Sequence, residues 1–471
     1  KTQQSTLLIS KYDATQDALG SYVPRDLDRL KMFQPTEWTV AGVQAKIDDI
    51  YDDFERNVTR IRQRRDMHVV IDLVYHSPLL IRMDNRIVKG WVEGLIVGDS
   101  AQGKTEASTY MMRHYGLGER IECKNATVAG LLGGVQQLGT GRWMVTWGFI
   151  PTHDKRLVIL EELKGTSTEV IAKLTDMRSS GIAELAKIEK RRTHARTRIL
   201  AISNPRFDRQ MSSYSFGLEA AKELIGSPED LRRFDVVHLV AADEVDADVI
   251  NKLNMNLNGD HPKFGPEACR SLVLWAWTRV PDQCMIPKDT ATLALQQATQ
   301  MCEEFSDVIP IVDRGSMRYK LARLASALAA RTFSTDDGES LVVRPCHVQW
   351  VADFLRRTYS TRAFGYREFT DAARSVGAIN DPDKIKKHFA AMPFPSEVIE
   401  SFLRADKLDV QDIQDWTGWE RVESLAFMSV LVRQHAIKRD YKSYRKTGSF
   451  IQLLKSMQLP GKPDFIPEAD Y

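Results

Sequence analysis

The chain has 471 residues, a formal net charge of +2 and five cysteines, a length that suits two or three domains, each burying its own core. Cys123, Cys269, Cys284, Cys302 and Cys346 show neither C-x-x-C nor Cys/His spacing. This argues against a zinc site and a disulfide framework and points to a reducing, intracellular setting, cytoplasm or nucleoid. No apolar run approaches the length of a transmembrane helix, and the first 19 residues lack a signal-peptide core, so the chain reads as soluble, with no membrane partner.

The sequence begins at Lys1 rather than Met, which predicts a trimmed start and an upstream domain outside it. Residues 1–66 read as a lead-in with a helix over 41–65, and the apolar run 69–74 reads as strand-like. Over 67–246, apolar runs at 92–97, 143–147, 157–160, 199–202 and 236–240 alternate with helical segments. That alternation predicts an α/β sheet with strands covered on both faces. Residues 247–365 turn helical and read as a lid, with Leu321, Leu324, Leu328 and Ala329 at helical spacing in 317–331. Residues 366–395, broken by Asp381-Pro382 and Pro393-Phe-Pro395, read as a linker with a short helix. From 396 to 471, three helices (396–404, 410–416, 419–435) precede the basic stretch 438–446 and residues 450–454. That order suits a winged-helix-like domain, which either binds duplex DNA or packs against a partner.

Gly98, Asp99, Ser100, Ala101, Gln102, Gly103, Lys104 and Thr105 fit G-x-x-x-x-G-K-[ST] directly after the 92–97 strand. Glycines there let backbone N–H groups wrap a triphosphate, while Lys104 and Thr105 reach phosphate and Mg²⁺. The pattern predicts ATP or GTP binding; an ordinary turn between strand and helix is the other reading. The 157–160 strand ends in Glu161-Glu162, paired carboxylates able to divide metal binding from polarisation of an attacking water. An acidic helix start is the alternative. The strand 199–202 leads to Ser203-Asn204-Pro205, where Asn204 either contacts water or γ-phosphate or marks a turn. Arg233, just before the 236–240 strand, is either a solvated residue or a cation offered to a neighbouring subunit's nucleotide.

Together, Gly98-Asp-Ser-Ala-Gln-Gly-Lys-Thr105, Leu160-Glu-Glu162, Ile199-Leu-Ala-Ile-Ser-Asn-Pro205 and Arg232-Arg-Phe-Asp235 resemble the AAA+ core of the minichromosome-maintenance (MCM) helicases. Ala126-Thr-Val-Ala-Gly-Leu-Leu-Gly-Gly-Val135 and Gly141-Arg-Trp-Met-Val-Thr-Trp-Gly148 resemble that family's helix-2 insertion and the hairpin leading to Walker B. The resemblance covers roughly residues 67–354. It implies an α/β AAA+ P-loop ATPase core with a helical lid, working with ATP and Mg²⁺ as a ring, as a hexamer, on single-stranded or forked DNA. Lys104 would grip β- and γ-phosphates, Thr105 and Glu161 would serve Mg²⁺, and Glu162 would activate water. Asn204 would be sensor 1, Arg233 the arginine finger, and Arg318, in Gly315-Ser-Met-Arg318, the sensor 2 residue acting across a subunit boundary.

The chain departs from the family in three ways. Glu161 stands where an Asp is usual, Arg232 replaces a small residue, and residues before the core show no zinc-binding cysteines and no clear oligonucleotide-binding barrel. These departures suggest a divergent relative from a mobile element or virus. The basic run Lys187-Ile-Glu-Lys-Arg-Arg-Thr-His-Ala-Arg196 falls where the family places a pore-facing hairpin, so Lys187 and Lys190 are the candidate DNA contacts; a solvated charged face is the alternative. A AAA+ remodeller of a protein complex, with the winged domain as adaptor, is the competing function.

Overall fold

The computed structural model describes residues 27–137, 143–186, 190–246, 261–376, 381–440 and 443–457. The chain divides into two compact units, residues 1–369 and 370–471.

The first unit is built on a five-stranded sheet. Its strands are β1 (Glu93–Gly98), β2 (Glu119–Glu122), β3 (Leu157–Glu161), β4 (Arg198–Ser203) and β5 (Val236–Val240). The order across the sheet is β5-β1-β4-β3-β2, and every neighbouring pair is parallel. Each residue of β1, β3, β4 and β5 is buried, as their near-continuous apolar sequences demand of strands covered on both faces. Parallel strands share one carboxyl edge, so the segments leaving β1, β3 and β4 converge on one side of the sheet.

Residues 69–74 correct the strand-like reading, since they lie within helix Arg65–Tyr75, buried from Met67 to Tyr75. A helix enclosed on all sides is as uniformly apolar as a buried strand, so the run did not separate the two. The expected 41–65 helix is a helix at Val40–Asp53, opened by a hydrogen bond from Gly42 N–H to the Thr39 hydroxyl, and a π-turn at Phe54–Val58. Val43, Ile47, Ile50 and Phe54 lie in the same hydrophobic cluster as the sheet, so the globular core starts earlier than residue 67. Helices Pro266–Trp277, Lys288–Glu304, Met317–Arg331 and Pro345–Tyr359 complete this unit, and their buried faces join the same cluster.

Asp72 lies at the centre of a fully enclosed junction. It accepts hydrogen bonds from Arg331 Nε at 2.6 Å, from the Tyr51 hydroxyl at 2.9 Å and from the Tyr115 hydroxyl. Burial opposes the Asp72 carboxylate, yet the Arg331 charge and the phenol donors hold its pKa below the ordinary value. The Arg331 guanidinium also lies 5.1 Å from the Phe33 ring and 5.5 Å from the Phe54 ring.

In the second unit, helices Pro382–Ala390, Pro395–Arg404, Val410–Thr417, Arg421–Arg433 and Gly448–Met457 surround Phe389, Phe402, Ile413, Leu431, Phe450 and Leu454. Ile437–Asp440 and Ser443–Lys446 form an antiparallel pair. Ile385 and Phe389, one helical turn apart, are fully buried here, so the 366–395 segment is not a plain linker: its second half belongs to this unit's core.

Candidate functional site

The loop between β1 and helix Lys104–Tyr115 lies at the carboxyl edge of the sheet. Gly98 runs so close to β5 that a Cβ there would sit 2.1 Å from the Val240 carbonyl oxygen, and Gly103 turns into the helix at φ +75°, the left-handed region that favours glycine. Asp99 fixes the loop to the segments after β4 and β5: its carboxylate accepts from Met211 N–H at 2.7 Å and from Ala242 N–H at 3.0 Å. Arg64, absent from the sequence motifs, braces the same loop. Its guanidinium donates to Gln102 Oε1 at 2.6 Å and to the Ala241 carbonyl at 2.7 Å, and pairs with Glu244 at 3.1 Å.

Lys104 is buried, and its Nζ donates to the Gly98 carbonyl at 3.0 Å, to the Asp99 carbonyl and to Asn204 Oδ1 at 2.9 Å. Asn204 in turn donates to Ser100 Oγ at 3.0 Å. Burial pushes the Lys104 ammonium down to about 8, against the pull of Asp99 and Glu162. Lys104 and Ser100 of the loop therefore form one hydrogen-bonded group with Asn204, 100 residues beyond Lys104.

The two carboxylates at the carboxyl end of β3, Glu161 in the strand and Glu162 just past it, take different surroundings. Glu162 has a left-handed backbone (φ 53°) and its charge is felt at Lys104; its Oε2 is 3.7 Å from Lys164 Nζ. Glu161 is buried, with Oε2 3.4 Å from Arg120, whose guanidinium also donates to Thr109 at 3.0 Å. Burial raises the Glu161 pKa, and Arg120 opposes the rise. Thr105 lies one turn before Thr109 and so on the same face of the helix. Glu161 Oε1 is buried without a hydrogen-bond partner among the described residues. That orphaned oxygen fits a cation held mainly by phosphates, because Mg²⁺ needs only one or two protein ligands. Among the described residues no cluster of three or more His, Cys, Asp or Glu could hold a metal by itself.

Arg233, Arg318 and Lys190 stand apart from this group. Arg233 precedes β5, whose Val236 sits beside Gly94 and Val240 beside Gly98, so it lies at the amino edge of the sheet. At a rise of about 3.3 Å per residue, β5 alone separates that edge from the P-loop by roughly 15 Å, beyond an arginine's reach. Its Nη1 donates to Ser179 Oγ at 3.1 Å. Arg318 opens helix Met317–Arg331 and lies 4.5 Å over the Tyr319 ring. Lys190 begins one strand of the Ile182–Ala186/Lys190–His194 hairpin, 2.9 Å from Glu184. Lys187 lies outside the described residues. Arg64 and Arg120 carry no motif, and only the fold brings them to the loop and to Glu161.

Residues 45–257 match the family model of the MCM P-loop domain. No curated protein matches the chain.

Proposed function

Since residues 45–257 are an MCM-family AAA+ P-loop domain, we propose that the chain is an ATP-driven DNA helicase or translocase that hydrolyses ATP at the interfaces of a ring, a hexamer. The observation that carries this reading is the split of the candidate residues between the two edges of one sheet: Lys104, Asn204 and Glu162 at the carboxyl edge, Arg233 at the amino edge. An arginine so placed serves a neighbour's nucleotide and not its own.

Lys104 binds the β- and γ-phosphates by exchanging its present carbonyl and amide partners for phosphate oxygens. Glu162 accepts the proton of the attacking water, and Asn204 orients that water against the γ-phosphate. The neighbour's Arg233, with Arg318 of the lid, offsets charge spreading over the transferred group. Thr105 and Glu161 would hold Mg²⁺, which neutralises phosphate charge when bound. DNA contact is assigned to the basic hairpin bearing Lys190, through phosphates rather than bases.

The test is strand displacement on forked DNA with ATP. Wild type unwinds; Lys104→Ala loses ATP binding; Glu162→Gln keeps binding and loses hydrolysis and unwinding. Normal hydrolysis by Glu162→Gln would remove Glu162 as the water activator.

One observation favours the protein-remodelling alternative. In the winged-helix-like unit, helix Arg421–Arg433 exposes Val422 (75%), Leu425 (44%) and Val432 (41%), a stripe at helical spacing suited to a protein surface rather than to phosphates. ATPase activity stimulated by a protein and indifferent to DNA would decide for that reading.

A further inference from the structure

Behind Arg233, at the amino edge of the sheet, lies a buried set of charges apart from the P-loop. Glu93, the first residue of β1, is fully enclosed, and its carboxylate accepts from Lys89 Nζ at 2.5 Å and from Arg178 Nε at 2.6 Å. Burial opposes the Glu93 charge, and the two cations hold its pKa below the ordinary value. The Arg178 guanidinium covers the Phe234 ring at 4.2 Å, and Ser179, next to it, accepts from Arg233 Nη1 at 3.1 Å. Asp235 completes the set. Its Oδ2 accepts from Glu93 N–H at 2.9 Å and its Oδ1 from Arg323 Nε at 2.7 Å; Arg323 belongs to the helix that begins at Met317. The same helix buries Lys320, whose ammonium is pushed down to about 8 by that burial while the Asp235 charge opposes the fall.

Arg233 and Asp235 are two residues apart, and Arg318 and Arg323 are five. Five residues turn a helix by about 140°, so Arg323 faces its own sheet while Arg318 faces elsewhere. An exposed ion pair would leave such an arrangement loose. Here the Asp235 side chain is fully buried and that of Arg323 only 12% exposed, so the pair fixes the spacing of the two segments. Cations stabilise a transferred phosphoryl group only where its oxygens are, and a misplacement of about 1 Å costs about 10²-fold in rate. We infer that Asp235 and Arg323 are positioning residues, an ion pair that sets Arg233 and Arg318 in one fixed relation so that a subunit offers both to its neighbour's nucleotide together. This rests on the shared-site reading given above and adds to it the part that aligns the two cations.

The experiment measures ATPase turnover and equilibrium binding of a fluorescent ATP analogue with the full chain, for each variant alone and in mixed rings verified by mass. Arg323→Gln should lower turnover about 10²-fold at unchanged ATP affinity, and Arg323→Lys, which keeps a charge for Asp235, should recover part of the loss. Mixed with Glu162→Gln, Arg323→Gln should regain activity as Arg233→Ala does, because its own P-loop and base are intact. Mixed with Arg233→Ala it should regain none, because both lack the same half of the site. Asp235→Asn, which keeps an oxygen for the Glu93 N–H, should behave as Arg323→Gln does. A pair that merely holds the fold together would weaken the variant's own P-loop as well. Reduced ATP affinity, or no regain with Glu162→Gln where Arg233→Ala does regain, therefore overturns the positioning role, as does normal turnover in Arg323→Gln or regain with Arg233→Ala. No regain between Arg233→Ala and Glu162→Gln themselves removes the shared site, and this inference with it.

Discussion

Lys104 and Asn204 are joined by a 2.9 Å hydrogen bond from Nζ to Oδ1, and with the Gly98 and Asp99 carbonyls this contact commits all three ammonium protons. A phosphate must therefore displace at least one of them, and the Asn204 side chain is the partner free to turn away. Asn204→Ala should leave ATP affinity undiminished, since it removes a competitor. Turnover should fall by on the order of 10²- to 10³-fold, the usual loss when one polar group acting on the transition state is deleted. Equilibrium binding of a fluorescent ATP analogue alongside phosphate release separates the effects.

Burial holds the Lys104 ammonium at about 8, so without nucleotide it is charged below that pH and neutral above it. Phosphates favour the charged form. ATP binding should then take up a proton above pH 8, and affinity should decline as pH rises through that value. Calorimetry in two buffers of different ionisation enthalpy reads the uptake directly; Lys104→Arg, whose guanidinium stays charged, should abolish it.

Arg233→Ala should cost on the order of 10³ in turnover with little change in nucleotide affinity. Because the amino edge cannot reach its own P-loop, mixed rings of Arg233→Ala and Glu162→Gln subunits should regain ATPase activity where an intact arginine meets an intact base. The absence of any regain across mixing ratios, with mixed assembly verified by mass, would speak against a shared site.

Arg331→Met leaves Asp72 enclosed with its main countercharge gone, which should destabilise the fold by about 3–5 kcal/mol. Replacing both, as Asp72→Asn with Arg331→Met, should cost less than the sum of the single changes. Melting temperatures of the four proteins close the cycle, and additive losses would mean that the pair is uncoupled.

Four of the five sheet strands and the P-loop were legible because each depends on local sequence: a buried parallel strand must be apolar throughout, and a phosphate loop must have glycine where the backbone crowds or reverses. Gly98 and Gly103 are those two positions. The expected 143–147 strand instead pairs with 133–137 outside the sheet, and the strand that takes its place, Glu119–Glu122 at the sheet edge, is polar and mostly exposed and so gave no apolar signal. The 69–74 run failed because Val and Ile favour strands only where the fold leaves the choice open, and here helix 65–75 is wrapped by sheet and helices alike. Ile385 and Phe389 were hidden between prolines in a segment too short to show a repeat. Arg64 and Arg120 were invisible for another reason: an arginine acquires its role from the groups it meets, and Gln102, Ala241, Thr109 and Glu161 reach these two only after folding.

The Asp72 junction also has a mechanical consequence. Tyr115 ends the helix that begins at Lys104, and Arg331 ends the helix that begins beside Arg318. Both helices are thus tied at their C-terminal ends to the same carboxylate, so a displacement of the loop that holds Lys104 would tilt one helix about a pivot that the other helix shares. At about 1.5 Å per residue these are lever arms of roughly 18 and 22 Å. A tilt of about 5° about the Asp72 pivot carries the tip of the longer arm roughly 2 Å, the difference between a hydrogen bond made and one broken.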